Sequence, residues 1–163
     1  MLELLDEADE AFRGPSWHGP TLLGSLRGVD AKRAAWRPSS GRHNIWEIVV
    51  HAAYWKYVVR RRITGDTRGR FPLKGSNWFA RPSARPSTPL AARREWQHDV
   101  KLLMEQHEQL RQAVRVLPRR RLRAIVAHGR DTAAYTIRGI AAHDLYHAGQ
   151  IQLLKRLMPR RLP

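Results

Sequence analysis

Three histidines carry the most chemistry in this sequence. His143 and His147 stand one helical turn apart within Thr136–Lys155, a stretch whose Ile140, Ile151 and Leu154 recur at three- and four-residue steps. Both imidazoles fall on that same apolar stripe, so they face the core. Two imidazoles at i and i+4 reach one point in space and make part of a divalent-metal site. His51 is the third candidate. It lies on the inward stripe of an earlier helix, among Ile48, Ala52, Trp55, Val58 and Val59. A lone histidine on such a stripe is an ordinary hydrogen-bonded core residue, whereas three that converge are a ligand set.

The elements that must position them follow from caps and breakers. Leu2, Leu5 and Phe12 set a helical period that breaks at Arg13-Gly-Pro-Ser16. Leu22, Leu23 and Leu26 predict a further turn or two, and Asp30 caps a short helix through Trp36. Asn44 with Glu47 forms a box-like start for a helix running to about Ile63. Residues 66–87 carry glycine, proline, serine and arginine without periodicity, and Phe71, Trp78 and Phe79 give this long connection something to pack with, either as an ordinary crossover pinned by its aromatics or as a cover over a pocket mouth. Thr88 and Pro89 open a third helix with a seam of Trp96, Val100, Leu103, His107, Leu110, Val114 and Leu117. His107 sits in that seam as an extra ligand or, in preference, as part of a structural polar network. After Pro118, Leu122–Ala127 alternates weakly and includes an extended piece, Thr136 is the expected cap of the last helix, and Pro159 ends it. His18 and His43 read as exposed or locally hydrogen-bonded loop residues, and His128 has no partner that spacing identifies. The fold class expected is all-α: an up-down four-helix bundle with a kinked or split first helix and one long connecting loop, as a single domain over residues 1–163.

Composition narrows the chemistry. With 163 residues, 42% hydrophobic, the chain can bury one real core. It has no cysteine, which excludes disulfides, thiolate zinc sites and a cysteine nucleophile, so any metal is held by nitrogen and oxygen. No apolar run approaches the ~20 residues of a membrane helix, and the acidic opening Met1-Leu-Glu-Leu-Leu-Asp-Glu is unlike a secretory signal; a cytoplasmic protein without membrane contact is expected. The net charge of +16 suggests a polyanion such as nucleic acid. Nearly all of that excess is arginine, a skew that codon bias also produces. The clusters Arg60–Arg62 and Arg119–Arg123 sit at predicted helix ends without interleaved aromatics, and no recognition-helix pattern or phosphate-cradling glycine loop is present.

Ile45-Trp-Glu-Ile-Val-Val-His51 followed by Trp55-Lys56, and His143-Asp-Leu-Tyr-His147-Ala-Gly-Gln-Ile151 in the final helix, resemble the DinB-like superfamily in content, order and placement. The resemblance runs from Trp17-His-Gly-Pro20 to the end, with the 66–87 connection the least assignable part. It implies a four-helix bundle that binds one divalent metal through His51, His143 and His147, often as a homodimer. Zinc, nickel and iron are all compatible with imidazole ligation. Better-understood relatives resemble transferases and isomerases that use a low-molecular-weight thiol, so a small-molecule substrate and such a thiol cofactor are implied as well.

Three neutral imidazoles leave coordination positions open at which a substrate thiol can be acidified, a mechanism that needs no protein nucleophile. Asp144 and Tyr146 flank the ligands but are rotated off their face by about a quarter to a third of a turn. Either residue could support the ligands or donate a proton, but Asp144 is expected in preference as an outward carboxylate paired with an arginine and Tyr146 as a ring packed on a neighbouring helix, with Gln150 as a partner orienting His147. The outer spacing of His143-Asp-Leu-Tyr-His147 matches that of zinc proteases, yet the general-base glutamate is replaced by Asp144 and no downstream ligand follows. The competing class is a non-enzymatic, metal-stabilised dimeric scaffold whose basic surface binds an anionic partner such as nucleic acid.

Overall fold

Capping chemistry sets the helix boundaries in the computed structural model, which describes residues 2–82 and 88–159. Among these residues the regular structure is helical: α1 (Leu2–Phe12), α2 (Leu22–Ser25), α3 (Ala31–Ala35), α4 (Ile45–Thr64), α5 (Pro89–Arg115), a 3-10 turn at Arg119–Arg123, and α6 (Ala133–Leu157). The region before Asn44 is thus split into one three-turn helix and two short pieces.

Asn44 Oδ1 accepts from the Glu47 amide at 2.8 Å while Glu47 Oε2 accepts from the Asn44 amide at 3.4 Å, so the expected capping box opens α4. Gly65, at φ 74°, closes the helix in the left-handed conformation that a glycine takes without strain. Thr88 Oγ1 accepts from the Ala91 amide and Pro89 occupies the first turn of α5. One cap differs from expectation. Thr132, not Thr136, starts α6, its Oγ1 accepting from the Tyr135 amide at 3.2 Å, and Thr136 instead donates its hydroxyl proton back to the Thr132 carbonyl. Both threonines precede the apolar period, and Thr132 wins because a bridge between Ile125 and Thr132 holds it in extended backbone at the turn. That bridge is the extended piece expected between Leu122 and Ala127.

Helix α4 packs against both α5 and α6, and α1 against α6 and α5. The apolar interior divides into two clusters. One surrounds Trp46, Trp96, Leu103 and Ile151, and the other contains Leu4, Val59, Ile63, Leu110, Val114 and Ile137. Polar side chains separate the two along the long helices: the half-buried Asp9 on α1, and the buried Lys56 on α4, His107 on α5, and Asp144 and His147 on α6. The apolar clusters supply the driving force for collapse, and the polar layer between them admits only registers in which its donors and acceptors meet. No described helix is long and apolar enough to cross a membrane.

Candidate metal centre

The loop after α4 shapes one side of the site. Arg81 anchors its far end: its side chain pairs with Asp99 at 2.6 Å, and its carbonyl accepts from the Asn44 side chain at 2.8 Å. Arg61 anchors the near end, donating to the carbonyls of Asp66 and Thr67 at 2.9 and 2.6 Å. Between these points Asn77 takes a left-handed conformation at φ 61°, one that asparagine tolerates better than other side chains, and its Oδ1 accepts from Trp55 Nε1 at 2.9 Å. So held, Asn77 presents its carbonyl to His51.

His51 on α4 and His143 and His147 on α6 come together as the sequence predicts. One ligand-competent atom from each lies within 4.8 Å of the others. The Nε2 atoms of His51 and His143 are 3.1 Å apart, and those of His147 and His143 are 3.0 Å apart. Two nitrogens bound about 2.0 Å from one tetrahedral metal are roughly 3.3 Å apart, so the spacing is close to that of a ligand set.

The outward nitrogens fix the tautomers. His51 Nδ1 donates to the Asn77 carbonyl at 2.9 Å, and His147 Nδ1 donates to Gln150 Oε1 at 2.7 Å, which leaves the Nε2 lone pair of each ring pointing inward. One proton on His143 Nε2 cannot serve both lone pairs well, whereas a cation between the three satisfies all of them. The His143 Nδ1 atom is buried and has no hydrogen-bond partner among the described residues. Burial is the main cause that lowers all three basicities, taking His143 down to about 3 and His147 to about 4 from an ordinary 6.5, with His51 lowered in the same direction. The rings are therefore neutral near pH 7, the form in which imidazole ligates a metal. The donor set fits a divalent cation.

Around the triad lies a cavity of about 850 Å³, within the range of small-molecule sites. Trp78 is clamped between His43 and His51, its ring stacked on them at centroid distances of 3.6 and 3.9 Å. With Trp55 it walls one side, while Leu153, Leu154 and Leu157 line another. Of the long loop, Asn77 and Trp78 line this cavity, while Phe71 and Phe79 pack into the apolar core. Asn77, Trp78 and His43 are the contributors that periodicity missed, since all three belong to segments with no helical repeat; the aromatic content of the loop was the only available signal.

Two flanking residues differ from expectation. Asp144 is not an outward carboxylate paired with arginine: its side chain is 1% exposed and ion-paired with the equally buried Lys56 of α4. Tyr146 does not pack against a neighbouring helix: it is 63% exposed, lines the cavity, and accepts from Gln150 Nε2 at 2.9 Å. Gln150 orients His147 as expected and links it to that hydroxyl. His107 stays outside the centre. Its Nε2 donates to Asp9 at 2.9 Å and its ring stacks on Phe12 at 3.8 Å, which is the polar-network role. His18 and His128 are exposed, and neither joins the cluster.

No curated protein and no solved structure matches this chain significantly. A family model described as the DinB superfamily matches residues 16–151, which include both histidine-bearing helices and the loop that covers them. That match spans most of the sequence, and the chain belongs to the DinB superfamily.

Proposed function

We propose that His51, His143 and His147 are the ligands of a divalent metal, and that this protein is a metal-dependent transferase or isomerase acting on a small molecule, with a low-molecular-weight thiol as co-substrate. The observation that carries the reading is the tautomer wiring: the Asn77 carbonyl and Gln150 Oε1 each take an Nδ1 proton, so the free Nε2 lone pairs converge beside an 850 Å³ cavity. When bound, a divalent metal supplies a Lewis acid that lowers the pKa of a thiol placed against it. The chain supplies the rest. Gln150 holds His147 in its ligating tautomer, the Trp55 and Trp78 rings keep water from one side of the cavity, and the leucines of α6 bind the apolar part of a substrate. Tyr146, tied to Gln150 at the cavity wall, is placed to exchange a proton with a bound molecule.

In this reading α1, α4, α5 and α6 form an up-down bundle, and two copies make the homodimer that family resemblance implies. The test is elemental mass spectrometry on untagged protein, parent against His51→Ala and His147→Ala. Near-stoichiometric metal in the parent and little in either variant, with helicity retained, supports the site and justifies thiol-transfer assays. A parent that stays metal-free after reconstitution with zinc, nickel and iron(II) sinks it.

A further inference from the structure

We propose a second ligand site, separate from the histidine centre: a basic cleft on the other side of the 65–79 loop that takes a phosphorylated small molecule carrying a flat ring, of nucleotide size. The cleft has a volume of about 670 Å³ and lies between the C-terminal half of α4, the loop and the link at Ala127–His128. Its wall is aromatic. Tyr54, Tyr57 and Phe71 pack there with centroids 5.3 to 6.2 Å apart.

Its rim is cationic. Arg62, Arg70 and Lys74 line the cleft, and among the described residues none of the three has a carboxylate partner. Arg62 lies over the Trp55 ring at 5.7 Å, so Arg70 and Lys74 are the cations this cleft relies on. Arg61 also lines the cleft, but its guanidinium is engaged by loop carbonyls and the Tyr57 hydroxyl, so it shapes the cleft more than it offers donors. The one carboxylate lining the cleft, Asp66, accepts from the amide and the guanidinium of Arg68 at 2.9 and 3.1 Å. Unpaired cations above an aromatic wall match a ligand that joins a phosphate dianion to a ring, since guanidinium and ammonium groups take phosphate oxygens and the wall takes the apolar face.

The site is also distinct from the general basic surface. Arg119, Arg120, Arg121 and Arg123 are exposed like Arg70 and Lys74 and equally without a carboxylate partner among the described residues, yet they do not line this aromatic cleft, and they serve as an internal control.

The experiment is isothermal titration of the full chain with ADP at low ionic strength, with a single-stranded oligonucleotide of equal phosphate concentration in parallel. The expected result is one ADP per chain, bound at least tenfold more weakly by Arg70→Ala/Lys74→Ala and within twofold of the parent by Arg119→Ala/Arg121→Ala. Both double variants change exposed side chains, so the fold is retained. Absence of ADP binding overturns the proposal. Equal losses in the two double variants do so too, because they indicate non-specific charge. Tighter oligonucleotide binding that is lost in the Arg119/Arg121 variant overturns it in favour of a nucleic-acid surface on the 3-10 turn.

Discussion

Lys56 of α4 and Asp144 of α6 form an ion pair in the middle of the protein, with both side chains only 1% exposed. Burial pushes the lysine pKa down and the aspartate pKa up, and their mutual attraction opposes both shifts. Asp144 directly follows His143, so the pair fixes the rotation of α6 at the position where it must aim a histidine at α4. Removing one partner leaves a buried charge alone, which costs about 3–5 kcal/mol. Lys56→Met and Asp144→Leu are each expected to destabilise by that order in urea unfolding. The double variant Lys56→Met/Asp144→Leu should lose clearly less than the sum, and strict additivity would show that the pair does not act as a unit.

Chelation should lower stability only where the triad is intact. With metal at a hundredfold excess over its dissociation constant, binding adds about 2.7 kcal/mol to the folded state. Thermal unfolding of reconstituted parent protein should therefore shift down by several degrees with EDTA. His147→Ala should unfold at the same temperature with and without it. An equal EDTA effect on both would place the metal elsewhere.

Gln150 sets the His147 tautomer from 2.7 Å away, and groups that hold a ligand's outer nitrogen are worth roughly 10–100-fold in metal affinity. Gln150→Leu is expected to weaken metal binding by that factor in a competitive chelator titration while far-UV circular dichroism stays unchanged. Unaltered affinity would mean that packing alone orients the ring.

His107 predicts a pH effect that does not depend on the metal centre. Burial, and next the nearby Lys56 charge, hold its pKa down to about 3 against an ordinary 6.5. Below pH 6.5 the unfolded chain takes up a proton that the folded chain refuses, so this contribution is complete above pH 6.5 and is lost as pH falls towards 3. Between pH 7 and pH 5 the loss is about 2 kcal/mol. Asp9, whose carboxyl is held below its ordinary 3.8 by hydrogen bonds from His107 and Arg111 despite its burial, stays charged across this window. Denaturant titrations at the two pH values should show the slope in the parent and a slope smaller by that amount in His107→Gln, whose amide keeps a donor for Asp9.

What the sequence by itself determined was periodic or chemical in origin. The stripes on α4, α5 and α6, the Asn44–Glu47 box, the Thr88–Pro89 start and the placement of His51, His143 and His147 on inward faces are all local properties, because a helix repeats every 3.6 residues and a cap needs only neighbours in the chain. The all-helical class followed from the same signals, and the matched family is consistent with the order of the motifs.

Only the tertiary structure decided who stands opposite whom. Lys56 carried no periodic signal as a core residue, and Asp144 looked like a surface carboxylate, because each is tolerable inside only in the presence of the other. Asn77, Trp78 and His43 come from aperiodic segments, and their roles around His51 depend on how a loop anchored at Arg61 and Arg81 crosses the helices. Tyr146 is exposed at the cavity wall, a placement that the period of its own helix does not specify. A repeat in sequence fixes the face of a helix on which a residue sits; the partner across that face is a relation between distant segments, which packing alone establishes.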